Sequence, residues 1–286
     1  MIRRTFLVLA LLAARVVAAE FGDQKYIEYL PGDLPLVISA PHGGREEPAG
    51  IPSREKGVLQ PDTNTQELAR EIADEIVART GHRAHFIISR LHRKKLDPNR
   101  EIAEAAAGSP IAEKAWSEYH AFIEKALTAA IAKSGKVFFI DLHGQNHRDR
   151  RIELGYLHSQ ETLAETDAAL DSVAAEGSLR RIAEVAKVPY SALVRGPRSL
   201  GALLEARGFP CTPSPERPTP FIPYFQGGYT VRRHVDAAKP IAGLQIEANL
   251  IGVRDTAANR TKFTTALVAA LREYLAEHFD LRLPTR

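Results

Sequence analysis

"LVISAPHGGREEP", residues 36–48, is the stretch from which the chain is read. Leu36 to Ile38 and then Ala40 are apolar and form a short buried strand, which runs straight into Pro41, His42 and the pair Gly43-Gly44. A histidine that only packs needs no such setting. A metal ligand or a catalytic base, held where a buried strand opens into a glycine turn, does.

Working outward, the strand is taken as 34–40, and "TQELAREIADEIVARTG" (65–81) follows as an amphipathic helix. Leu68, Ile72, Ile76 and Val77 share its stripe and Gly81 stops it. "AHFIIS" (84–89) is a second strand, 91–100 is basic and irregular, and 111–135 is a long helix with Trp116, Tyr119 and Phe122 facing the core. "KVFFIDLHG" (136–144) is a third strand and "IELGYLHS" (152–159) a candidate fourth. Residues 160–212 read as helical, with "SLRRIAEVAK" and "SLGALLEARG" as helices, and "PCTPSPERPTPFIPYF" (210–225) as a loop or lid. "IAGLQIEANL" (241–250) is a strand and 256–279 a closing helix. Strands alternate with helices and no repeat is visible. The expected class is therefore α/β, with a mixed, largely parallel central sheet covered by helices on both faces.

The first 19 residues stand apart. Arg3 and Arg4 precede the apolar run "TFLVLALLAA", and "VVAA" comes just before Glu20, the pattern of a secretory signal peptide cut after Ala19. The expected organisation is a signal peptide, 1–19, and one domain, 20–286, in the periplasm or outside the cell. The segment carries Arg3, Arg4 and Arg15 and no acid, so its loss takes Lys plus Arg from 38 to 35, against 35 Asp plus Glu. A mature charge near zero gives no ground for a nucleic-acid partner. No later stretch is apolar enough to span a bilayer, so no membrane partner is expected after processing. The one cysteine, Cys211, has Pro210 and Thr212 beside it and reads as a packing residue.

Ligands of open α/β sheets gather where strands end. Three ends here carry chemistry: His42, then Asp141 and His143 in "IDLHG", then Glu247 in "LQIEAN". Two histidines and one carboxylate make a zinc set with a fourth position open. Spacing leaves the acid undecided between Glu46, which could equally be solvated beside Glu47, and Asp62, which could equally cap the helix at 65. Glu247 sits between Ile246 and Ala248, where a carboxylate is costly unless it faces a metal, a cation or a reacting water. It is the candidate general base or acid, with a structural ion pair to an arginine as the competing role. Asn99 and Arg100 offer amide and guanidinium donors suited to a carboxylate. "FQGGYTVRRH" (225–234) adds a glycine pair followed by Tyr229, Arg232 and Arg233. Asp141, two residues before His143 in a strand, shares its face and is placed to orient it.

Together these segments resemble the N-formylglutamate amidohydrolase family, within the zinc carboxypeptidase-like amidohydrolases. The resemblance rests on "SAPHGG" (39–44), "DTNTQELA" (62–69), "LDPNR" (96–100), "IDLHG" (140–144) and "FQGGYTVRRH…GLQIEANL" (225–250), in the family's order. It implies Zn2+ held by His42, Asp62 and His143. Asp62 is favoured over Glu46 because the His-x-x-Glu spacing is absent: position 45 is arginine. It implies Glu247 as the catalytic carboxylate that takes the water proton and delivers it to the leaving amine. Asn99 and Arg100, with Tyr229, Arg232 and Arg233 nearby, would meet the carboxylate of a small acidic N-acyl amino acid or peptide. At 231–234 the chain has Val-Arg-Arg-His where formylglutamate enzymes carry Thr-Arg-His, so the acyl group and the amine stay open. A metallo-carboxypeptidase, a cell-wall amidase, or a non-catalytic periplasmic binder of an acidic solute are the other readings.

Overall fold

The computed structural model describes residues 18–286, so nearly all of the expected signal peptide lies outside the described residues. Eight strands form one sheet: β1 (Glu20–Phe21), β2 (Ile27–Leu30), β3 (Leu36–Ala40), β4 (His85–Ser89), β5 (Val137–Gln145), β6 (Ile152–Gly155), β7 (Cys211–Thr212) and β8 (Ile241–Asn249). Their order is β1-β2-β4-β3-β5-β8-β6-β7. The central run β4-β3-β5-β8 is parallel, while β2 pairs β4 and β6 pairs β8 antiparallel. Parallel neighbours need crossovers, and α1 (Thr65–Thr80), α2 (Ile102–Ala106) and α3 (Pro110–Ser134) supply the first of them.

Alternation along the strands builds two cores. Leu36, Ile38, Phe138, Ile140, Leu142, Leu244 and Ile246 face one side, with Leu68, Ile72 and Ile76 of α1 and the apolar stripe of α10 (Ala257–His278). Val37, Val137, Phe139 and Ile241 face the other, against Trp116, Tyr119 and Ile123 of α3 and Val231 of α9 (Gly228–His234). The mixed, mostly parallel sheet with helices on both faces is the expected architecture. The long helices begin and end where their punctuation says. Ser109 accepts the Ala112 N–H to cap α3 with Pro110 behind it, and Gly81 and Gly135 close α1 and α3 in the left-handed region.

The weaker expectations change in detail. Residues 152–159 keep only four in β6. The helices expected at 178–187 and 199–208 shrink to α6 (Arg180–Ala183) and α8 (Leu200–Glu205), in a string of short turns with α4 (Gln160–Ala164), α5 (Asp167–Ser172) and α7 (Tyr190–Arg195). Segments of one or two turns are held by neighbours rather than by periodicity, so a helical stripe has no length in which to show. The glycine pair at 227–228 leads straight into a helix. It starts α9, with Gly228 at φ +61°, and a Cβ there would sit 2.7 Å from the Asn99 amide. Cys211 is buried in the first core, and burial pushes its thiol well above the usual range.

Candidate metal centre

The face of the sheet that packs on α3 and α9 turns polar partway along its strands. In β5 the residues on that face run Val137, Phe139, Asp141, His143, Gln145; in β8 they run Ile241, Gly243, Gln245, Glu247, Asn249. The polar half lies at the carboxyl ends of the parallel strands, with Ser39 beside Asp141 and His143 beside Glu247 in register. All of these side chains are buried. This is the end of an open sheet where ligands bind.

His42 follows β3 and meets His143 there. His42 Nδ1 lies 3.1 Å from His143 Nδ1 and 3.2 Å from Asp62 Oδ2, and His143 Nδ1 lies 3.6 Å from the same oxygen. Zinc with tetrahedral bonds of ~2.0–2.1 Å sets its donors about 3.3 Å apart, so the triangle has the size of a zinc face. The other nitrogen of each ring is committed. His42 Nε2 donates to Asp97 Oδ1 at 2.7 Å, and His143 Nε2 to Asp141 Oδ2 at 2.7 Å. Ser39 Oγ in turn donates to Asp141 Oδ1 at 2.6 Å. With Nε2–H given to a carboxylate, a neutral imidazole turns a lone pair inward at Nδ1. Two lone pairs and a carboxylate oxygen that converge in this way call for positive charge between them. A proton on His143 is the alternative source of that positive charge. Burial opposes a charge on His143, yet Asp141 and Asp62 outweigh it and raise its pKa. Burial also acts against ionised Asp62, but His42 and His143 hold its carboxyl well below the usual range.

Asp62 is not a helix cap. Asn64, at φ +60°, stands at the N-terminus of α1 and makes no side-chain cap bond. The Asp62 carboxylate instead accepts from the Gly144 N–H at 3.0 Å and from Arg93 Nη1 at 3.2 Å. The segment carrying it is pinned by Arg254. This buried guanidinium donates to Ala248 O (2.9 Å), Gln145 O (3.0 Å) and Thr63 O, while Asn64 Nδ2 donates back to Arg254 O at 2.9 Å. Glu46 points elsewhere and pairs with Arg90 at 2.6 Å.

Glu247 sits beside the triangle, Oε1 4.0 Å from His143 Nδ1, and accepts from Gln245 Nε2 at 3.1 Å. Burial raises its pKa, and nearby Asp62 and Glu153 add to that against the pull of His143. No arginine or lysine pairs with it among the described residues. It faces a cavity of about 440 Å³ that Asp62, His143, Arg93, Asn99, Arg100 and Arg232 also line. Asn99 Oδ1 accepts the Thr230 N–H at 2.8 Å and its hydroxyl at 3.1 Å, which fixes the start of α9 against the "LDPNR" loop. Arg100 bonds Asn99 O at 2.8 Å and Glu104 at 3.2 Å at the cavity edge. Arg232 lines the cavity; Tyr229 and Arg233 do not. The Arg233 guanidinium lies 5.0 Å over the Trp116 ring and donates to the Tyr229 hydroxyl at 3.0 Å.

Sequence reasoning passed over two residues here. Asp97 is fully buried; besides orienting His42 it accepts Arg93 Nε at 3.0 Å, with Arg54 3.7 Å away. Arg93 thus ties Asp97 to Asp62. Both belong to the basic stretch after β4, which runs beside the chain leaving β3 through the bridges Gly44↔His92 and Glu46↔Leu91. The available signal was the acid inside "LDPNR" itself.

No protein-family model matches the chain, and neither does any curated protein. Among solved structures it is similar to N-formylglutamate amidohydrolase from Ralstonia eutropha JMP134, at 17% identity and TM-score 0.52, covering 85% of this chain and 96% of that one. It is also similar to a gene product from Agrobacterium tumefaciens, at 14% identity and TM-score 0.54, covering 88% of this chain and 94% of that one. The chain therefore shares the zinc carboxypeptidase-like fold of N-formylglutamate amidohydrolase, the fold to which its motifs point.

Proposed function

We propose that this protein is an exported, zinc-dependent hydrolase of an amide bond in an N-acyl amino acid or small acidic peptide. The observation that carries the reading is the converging triangle of His42 Nδ1, His143 Nδ1 and Asp62 Oδ2, each ring backed by a buried carboxylate. A binder of acidic solutes needs arginines but has no use for that arrangement beside a buried glutamate that no arginine or lysine pairs with among the described residues.

His42, Asp62 and His143 would hold the ion, and Asp97 and Asp141 keep both rings in the tautomer that ligates. Zn2+, when bound, supplies Lewis acidity that brings the pKa of water to ~7 and polarises a carbonyl. Glu247, at the cavity wall next to His143, takes the proton of the attacking water. Arg232, Arg100 and the Asn99 amide meet the substrate carboxylate and set the scissile bond toward the sheet. Export follows from residues 1–19 and fits a role outside cytoplasmic amino-acid breakdown. The test is a deacylase screen of N-acyl amino acids with zinc-loaded protein. Hydrolysis is expected for substrates with a free carboxylate and not for their methyl esters. Activity indifferent to that carboxylate would remove the arginine wall from the account.

A further inference from the structure

One histidine of the cavity wall belongs to none of these roles. His147 follows β5 on the loop to β6, and its Nδ1 lies 2.7 Å from Glu153 Oε1. Glu153 is fully buried. It also takes Arg151 Nη2 at 3.1 Å, and its Oε2 accepts the Phe225 N–H at 3.0 Å. The Phe225 ring stacks on the imidazole, centroids 5.3 Å apart and planes within 19°. The His147 N–H is itself held by Gln145 Oε1 at 2.5 Å. The ring is thus fixed by its backbone, by Nδ1 and by one face, and Nε2 has no protein partner among the described residues. His147, Phe225 and Glu247 line the same cavity.

Strand pairing puts this assembly next to Glu247. Glu153 is the register partner of Glu247 across the antiparallel β6–β8 pair, so their side chains share the cavity face. Opposite residues in such a pair have Cβ atoms ~4.5–5.5 Å apart. With Nδ1 turned to the buried Glu153 carboxylate, Nε2 is the ring nitrogen left to meet whatever lies in the cavity.

We infer that His147, oriented by Glu153, is a catalytic residue that protonates the leaving amine. The inference rests on the amidohydrolase reading above and moves the second proton transfer from Glu247 to His147. As the water oxygen bonds to the carbonyl carbon, its proton goes to Glu247. As the C–N bond breaks, its electron pair stays on nitrogen, which takes the Nε2 proton of His147. The proton on Glu247 then returns to the imidazole through solvent. Amide and water give acid and amine, with both groups restored.

A matched pair of probes tests this: N-formyl-L-glutamate and S-formyl-2-mercaptoglutarate, the thioester with sulfur at the scissile nitrogen. A thiolate leaves without a proton; an amine does not. In zinc-loaded His147→Gln, kcat on the amide is expected to fall on the order of 10²-fold, with KM, zinc content and kcat on the thioester little changed. His147→Phe, which keeps the stack on Phe225, should behave the same way, and Glu153→Gln should show a weaker form of the same split. Equal losses on both probes, a change in KM alone, or loss of zinc from His147→Phe would overturn the assignment. A zinc-loaded wild type that turns over neither these probes nor any N-acyl amino acid of the deacylase screen would instead overturn the reading on which it rests.

Discussion

Glu247→Gln is expected to keep its fold and its metal and to lose roughly 10²- to 10⁴-fold in turnover. The environment of this carboxylate allows the substitution to be read cleanly. Its Oε1 accepts one hydrogen bond, from Gln245 Nε2 at 3.1 Å, and a glutamine carbonyl accepts the same bond. No arginine or lysine hydrogen-bonds or ion-pairs with it among the described residues, so none loses a direct partner when the charge goes. A structural ion pair, the competing role, would cost roughly 3–5 kcal/mol when one partner is neutralised. The measurement is paired: melting temperature and turnover number of the zinc-loaded variant. A stable, zinc-replete variant with near-normal turnover removes Glu247 from the mechanism. A destabilised one with normal turnover per folded molecule makes it a scaffold residue.

The second large effect falls on stability. Arg254→Met keeps an unbranched apolar stem but removes a guanidinium that is 2% exposed and satisfies carbonyls of Ala248, Gln145 and Thr63. Each buried acceptor left without a donor costs ~1–3 kcal/mol, so the loss should be roughly 3–5 kcal/mol after partial rehydration. For a chain of this size that lowers the melting temperature by about 10 °C. The same bonds join the ends of β5 and β8 to the segment that carries Asp62. Zinc affinity should therefore fall with stability, although Arg254 is no ligand. A melting temperature within ~2 °C of wild type would show that water replaces the guanidinium without cost.

What the sequence made legible follows from how local each signal is. His42 was visible because it stands where an apolar strand opens into a glycine turn, His143 and Glu247 because each interrupts an apolar strand, and a strand's period of two places Asp141 behind His143 with no further information. Asp62 against Glu46 was not decidable from spacing. Which acid reaches the histidines depends on how the chain after β3 turns back beside the chain after β4, and on the grip of Arg254 on Thr63. Asp97 and Arg93 were hidden for the same reason, in a stretch that reads as a basic loop but is buried against His42. Glu153 needed the antiparallel return of β6 onto β8, a non-local pairing that no window of sequence contains. At 227–234 no helix was legible behind the glycine pair, which lets the chain pass Asn99 closely enough to start α9 on it. The weak outer strands β1 and β2 have too few residues for alternation to register.

The proposed hydrolase stands on one metal site made by His42, Asp62 and His143. Its most direct test is zinc per chain after loading and exhaustive dialysis, measured in parallel on wild type, His143→Ala, Asp62→Ala and Glu46→Ala. Wild type and Glu46→Ala should retain about one ion, and the His143 and Asp62 variants far less, because two of the four tetrahedral positions cannot hold zinc against a chelating buffer. Zinc retained at the wild-type level by both His143→Ala and Asp62→Ala, or no zinc on the wild-type chain, would contradict the account.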